Sequence, residues 1–234
     1  MKKTFYLFLL AAAPIVFNSC NSDDEEDNFV LKENSVYITN GGTTQIQFSG
    51  KLPSVKVANQ FIATVNAQGL INAKHAGHTT ATIGSKVIDI HVKGTNSLIG
   101  DICYEWGKGR QYVLSNTTFK DMELSSGTDY DTYMGLKTLG NTPIVIYGYL
   151  FAKNQDKLET VKLLVHKNYL SSLTDFLKER FYMAKYTNVI GNMLVGAAGF
   201  DSDDPTTATS GVTIGINPSY SNYYEVTIIP YTEK

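Results

Sequence analysis

Turn signals recur at short intervals between residues 34 and 95, which leaves room for short strands but not for long helices. Residues 44–48 alternate polar and apolar side chains with a period of two, as a half-buried strand does. Residues 80–83 and 87–92 predict a hairpin around Gly84-Ser85. Strands this short, separated by regular turns, are typical of a β-sandwich.

The same stretch contains an ordered run of small, apolar and glycine residues. Its members are Ala63-Thr64-Val65, Gly69, Ile71, Ala73, Ala76-Gly77 and Ala81-Thr82-Ile83. This run resembles the bacterial Ig-like domain, group 2. The resemblance implies an Ig-like sandwich over residues 29–95 that serves spacing, presentation or adhesion, without a catalytic site. His78 and Thr79 depart from the small residues of that family, and no tryptophan strand precedes Ala63.

The second half of the chain has a different pattern. Residues 98–142 give no clear element, whereas later segments do. Strands are predicted at 144–151 and 161–165, which form a hairpin, and at 193–198, 212–216 and 223–229, and an apolar stripe over 170–184 predicts a helix. We therefore expect a mainly β chain, with an Ig-like β-sandwich followed by an α+β domain at 98–234. In that domain one helix would cover an antiparallel sheet.

The first nineteen residues have the layout of an export signal. Lys2 and Lys3 precede an uncharged stretch of 13 residues, 5–17. A transmembrane helix needs about 20 apolar residues, whereas a secretory signal needs about 7–15. Residues 17–20 (Phe-Asn-Ser-Cys) resemble a lipobox, the cleavage site of bacterial lipoproteins, which implies that acyl chains such as palmitate are attached to Cys20. An ordinary secretory signal with an incidental cysteine is the alternative.

An acidic run follows Cys20 directly and is predicted to form a tether over residues 20–28. Its polar members are Ser22, Asp23, Asp24, Glu25, Glu26 and Asp27. The run resembles the lipoprotein export signal of Bacteroidota, which implies display on the outer face of the outer membrane. A solvated, disordered tether is the plainer reading, because like charges repel and extend a chain. The periplasmic face of the membrane stays open as the alternative location.

Charge excludes one class of partner. Without residues 1–27, the chain has 18 basic and 17 acidic side chains, and no basic cluster stands out. A nucleic-acid-binding domain would need a basic patch or stripe. We therefore expect the membrane, through the lipid anchor, and a glycan or protein ligand as partners, and no nucleic acid.

The sequence carries no recognisable catalytic motif, so we expect a binding protein rather than an enzyme, with no cofactor and no metal. His75 and His78 lie three apart, but no third metal ligand is evident beside them. Tyr104, Trp106 and Tyr112 are candidate residues for stacking on a sugar ring, although packing in the core is the plainer reading. A structural component of an outer-membrane complex and a hydrolase with an unfamiliar site are the alternative functions. Cys103 lies among apolar residues, which predicts a buried thiol.

Overall fold

Strands make up most of the computed structural model, which describes residues 29–190 and 193–231. The prediction of a mainly β chain is confirmed. Cys20 and the acidic run at 22–27, predicted to be the anchor and the export signal, lie outside the described residues.

Nine short strands lie between residues 29 and 93, the first part of the chain that the structure describes. They are β1 (Val30–Leu31), β2 (Ser35–Thr39), β3 (Thr43–Gln45), β4 (Phe48–Ser49), β5 (Val55–Val57), β6 (Ala63–Val65), β7 (Leu70–Ala73), β8 (Gly77–Ile83) and β9 (Lys86–Lys93). A four-stranded sheet has the order β2-β9-β8-β5, and a three-stranded sheet has the order β3-β7-β6. β1 pairs with β4, and β2 runs parallel to β9.

One apolar core joins these strands. Period-two alternation turns every second side chain of β8 and β9 inward, so that Ile83, Ile88 and Ile90 are fully buried. Burial of each such side chain contributes about 1.5–3 kcal/mol. The opposite face of the same hairpin carries His78, Asp89 and His91, which remain partly accessible. The alternation therefore presents polar side chains along one side of the hairpin.

Eight strands and two α-helices lie in the described residues after 109. They are α1 (Arg110–Ser115), β10 (Glu123–Ser126), β11 (Tyr130–Leu139), β12 (Thr142–Ala152), β13 (Lys157–His166), α2 (Leu170–Lys178), β14 (Tyr182–Ile190), β15 (Met193–Phe200), β16 (Ser210–Ile216) and β17 (Tyr223–Pro230). The strands form one sheet in the order β10-β11-β12-β13-β17-β16-β15-β14, with antiparallel neighbours throughout. The strands predicted in this half are confirmed.

Helix α2 covers the sheet with an apolar stripe, as its spacing predicted, but it is shorter than the stripe. Leu173, Phe176 and Leu177 are buried, and α2 contacts β13. The helix ends at Lys178, after which the backbone N–H groups of Arg180 and Phe181 both bond to the carbonyl of Leu177 before β14 begins at Tyr182. Among the described residues, no helix has the length and apolar character that a membrane crossing requires.

Hydrogen bonds at Asn59 and Ala76 hold the four-stranded sheet against the second half of the chain. The backbone N–H of Ala76 donates to the carbonyl of Glu179 at 2.6 Å. The Asn59 side-chain amide donates to the carbonyl of Asp201 at 2.8 Å, and the Tyr104 hydroxyl donates to the carbonyl of Ala76 at 3.4 Å. These contacts fix the start of β8 beside Tyr104 and the end of α2, and they fix the loop after β5 beside Asp201.

Candidate functional site

A cavity of about 370 Å³ lies where the β8–β9 hairpin faces residues 101–108 and the loop before β16. Polar and aromatic side chains share its wall: Tyr37, His78, His91, Glu105, Trp106 and Asp201. Ligand pockets in proteins have volumes of about 300–1,000 Å³ and combine apolar walls with a few converging polar groups. The size and lining therefore suit a small ligand or one residue of a larger one.

Two histidines face each other across the hairpin. The antiparallel register that starts at the Ile83–Lys86 pair places His78 directly opposite His91. Directly paired residues lie on the same face of a sheet with close Cβ atoms. The two ring centroids are 4.7 Å apart, and the side chains are 28% and 15% exposed. Both imidazoles are thus mostly buried, but both line the cavity.

Glu105 completes the cluster from the opposite wall. Its Oε1 lies 3.3 Å from His91 Nδ1, and its Oε2 lies 3.9 Å from His78 Nδ1. The Tyr112 hydroxyl, from α1, is 3.0 Å from each carboxylate oxygen and donates to them. Burial raises the pKa of Glu105, but the hydrogen bond from His91, the charges of the two imidazoles and the Tyr112 hydroxyl outweigh it and lower the pKa below its ordinary value.

Burial of the two preceding residues holds Glu105 in this position. Cys103 and Tyr104 are both buried, and the Tyr104 ring stacks on Phe181 with centroids 5.8 Å apart. Burial raises the pKa of the Cys103 thiol to about 12. The prediction that Cys103 is buried is confirmed. Because the chain is tied to the core at these two residues, Glu105 is held against the hairpin.

Outer contacts orient the two imidazoles. Asp89, on β9, places Oδ1 3.0 Å from His78 Nε2. The Tyr37 ring, on β2, stacks on His91 with centroids 4.6 Å apart and planes within 8°. Tyr37 is itself 57% exposed, so its outer face is available to solvent. Because Nε2 of His78 faces Asp89, its other ring nitrogen, Nδ1, faces Glu105.

A buried arginine fixes the segment that carries Glu105. Arg180 is 1% exposed, and its guanidinium bonds to Asp101 Oδ1 at 2.7 Å and to Glu179 Oε2 at 3.1 Å. It also lies over the Phe176 ring, 4.1 Å from the centroid. Glu179 in turn accepts bonds from the backbone N–H groups of Thr95 and Asn96. This network ties residues 94–101 to the end of α2.

The three candidate stacking aromatics occupy different positions, and their role stays a prediction. Tyr104 lines the inner wall of the cavity but is buried, and Tyr112 is engaged with Glu105. Trp106 is half-buried on the wall, where its indole N–H donates to Ser210 Oγ at 2.8 Å. The exposed Tyr37, which sequence reasoning did not single out, lies on the same cavity.

Sequence reasoning also missed His91 and Glu105. His75, considered with His78, instead stacks on Phe61 with centroids 3.7 Å apart and contacts the Phe61 carbonyl through Nδ1. The hairpin predicted around Gly84-Ser85 was a signal for His91, because extending its register by a few pairs brings His78 and His91 together. Nothing local in the sequence indicates that Glu105 joins them.

No protein-family model matches this chain, and a search of the curated proteins finds no significantly similar sequence.

Proposed function

We propose that this protein is a lipoprotein, anchored through Cys20 to the outer membrane and displayed on the cell surface, and that it binds a glycan in the cavity beside the β8–β9 hairpin. The cavity of about 370 Å³ is the observation that carries the ligand-binding part. The signal sequence, the lipobox-like residues and the acidic run support the anchor and its location.

The chemistry of the wall favours a sugar over an apolar ligand. Sugar rings present flat C–H faces that pack on aromatic rings and hydroxyl groups that bond to polar side chains. Trp106 and Tyr37 supply rings on the cavity, and Glu105 and Lys108 supply charged groups at the same wall. A glycan uses both kinds of group at once.

We further propose that residues 29–95 form an Ig-like unit that carries the cavity away from the membrane. The Ig-like sequence run and the shared core of the four-stranded and three-stranded sheets support this role.

A glycan array tests the ligand. Full-length protein extracted in mild detergent is applied to the array, and its hits are measured by titration. Trp106→Ala should weaken binding about tenfold, equivalent to about 1.4 kcal/mol of lost stacking, and Trp106→Phe should weaken it less. Tyr220→Ala is the control, since Tyr220 is 58% exposed and lies outside the cavity lining. An array without hits overturns glycan binding.

Protease shaving of intact cells tests the location. Surface display predicts that added protease cuts this protein while a periplasmic control protein survives. If this protein survives until the outer membrane is broken, the proposed display is wrong. A Cys20→Ala variant should also leave the membrane fraction, because one cysteine bears the acyl chains that hold the protein there.

A further inference from the structure

Three potential metal-ligand atoms converge at the cavity wall. One atom each from His78, His91 and Glu105 lies within 4.8 Å of the other two. Zinc binds histidine nitrogen and carboxylate oxygen at about 2.0–2.2 Å. Two ligands of one ion are therefore separated by about 4 Å at most. Small side-chain rotations are enough to bring the three atoms to one ion.

The donor set indicates the kind of ion. Two imidazoles and one carboxylate suit zinc and other divalent transition metals, whereas calcium and magnesium prefer oxygen ligands alone. Three protein ligands leave a fourth position of a tetrahedral ion for water or another molecule. His78, His91 and Glu105 all line the cavity. The fourth position therefore faces the space in which a ligand would lie.

The surroundings supply the outer contacts that metal ligands require. A metal-bound histidine usually gives its second ring nitrogen to a carboxylate, carbonyl or water, and a bound carboxylate is itself hydrogen-bonded. Asp89 takes this place for His78, at 3.0 Å from Nε2, and the Tyr112 hydroxyl does so for Glu105. A simple surface ion pair would need neither contact.

We propose that His78 Nδ1, His91 Nδ1 and the Glu105 carboxylate bind a divalent transition-metal ion, for which zinc is the probe, with one coordination position open to the cavity. Asp89 is a positioning residue that orients His78. The inference goes beyond glycan binding and does not depend on it. If the protein binds zinc but no glycan, the metal site stands and the proposed glycan binding is wrong. If it binds a glycan but no zinc, the proposed glycan binding stands and the metal site is wrong.

Zinc titration of the full-length protein tests the site. The protein is extracted in detergent, treated with a chelator, returned to chelator-free buffer and titrated with zinc against a chromophoric chelator. One equivalent should bind, and the same sample should take up cobalt(II) with the visible absorption of a tetrahedral site without thiolate bands. A wild-type protein that binds no zinc overturns the proposal.

Matched variants separate the site from the acidic run, which can also attract cations. His91→Ala and Glu105→Gln should abolish the single equivalent or weaken it at least 100-fold. Asp89→Asn should weaken it by about 10–100-fold, as expected for a partner of a ligand. His166→Gln, on β13 and outside the cavity lining, should bind as the wild type does. Equal zinc affinity in all four variants overturns the proposal.

Thermal unfolding shows whether a variant that loses zinc binding still folds. Zinc bound to the native state raises the melting temperature of the wild type, because a ligand that binds only the folded state stabilises it. Glu105→Gln keeps the shape of the side chain, so it should fold yet show no such rise. A zinc-induced rise of the same size in Glu105→Gln contradicts the assignment of Glu105 as a ligand.

Discussion

The two walls of the cavity are built in opposite ways. The β8–β9 hairpin forms one wall from residues close in sequence, with a register fixed by seven consecutive pairs and a row of buried isoleucines. The facing segment, residues 94–108, contains no strand and depends on distant partners: Arg180, Glu179 and Phe181. The hairpin wall is held by local strand pairing and should keep its position after a single substitution. The facing wall is held by a few long-range contacts and should lose its position when any one of them is removed.

Arg180→Ala should have the largest effect on stability. Removing one partner of a buried ion pair costs about 3–5 kcal/mol, and we expect about 3 kcal/mol because Asp101 is partly exposed and water can solvate it. Urea unfolding measures the change. Lys178→Ala, an exposed cation two residues earlier, should stay within about 0.5 kcal/mol of the wild type. Equal effects of the two substitutions would show that the arginine network does not hold this wall.

Gly94→Ala should have the next largest effect. A Cβ atom at residue 94 would overlap the Arg180 guanidinium. Overpacking of this kind costs about 1–3 kcal/mol, and here it would also displace the segment that leads to Glu105. Gly148→Ala on β12 is the control, since its Cβ would have no neighbour closer than 3.8 Å. We expect weaker zinc binding for Gly94→Ala and unchanged zinc binding for the control.

Glu179→Gln should reveal a pH dependence. Burial raises the pKa of Glu179, but bonds from Thr95 and Asn96 and the charge of Arg180 lower it below the ordinary 4.5. A carboxyl with a lowered pKa stabilises the fold above its unfolded-state value and loses that contribution as the pH falls through the folded-state value. The variant should be about 1.5 kcal/mol less stable at neutral pH. The difference in unfolding free energy between wild type and variant, measured by urea unfolding, should close as the pH falls below 4.5. A difference that does not change with pH contradicts the lowered pKa of Glu179.

Ile90→Val should have the smallest effect, and it tests whether the hairpin wall keeps its position better than the facing wall does. Loss of one buried methylene costs about 1 kcal/mol. Because six other pairs keep the hairpin in register, the His78–His91 spacing should not change. We expect a lower free energy of unfolding together with zinc affinity within about twofold of the wild type. A large loss of zinc affinity would mean that the hairpin is as easily displaced as the opposite wall.

The same contrast explains what the sequence could predict. Periodicity and turn residues indicated β8, β9, β12, β13, β15 to β17 and the helix α2, because each depends on side chains near in sequence. Residues 98–142 gave no such signal, and α1, β10 and β11 lie there. Glu105 joins the histidines through Tyr104, Phe181 and Arg180, which are separated by up to 77 residues of chain. A contact between residues so far apart in the chain produces no periodic pattern in the sequence.

Burial of Cys103 has a consequence for the thiol chemistry of the folded chain. A thiol with its pKa raised to about 12 has almost no thiolate, and thiolate is the species that attacks a disulfide. Folding therefore protects the chain from mixed disulfides in an oxidising compartment, and unfolding removes that protection. Non-reducing gels should show cross-linked chains after partial denaturation in the presence of oxidised glutathione or other disulfides. A disulfide formed at Cys103 thus marks a chain that has unfolded.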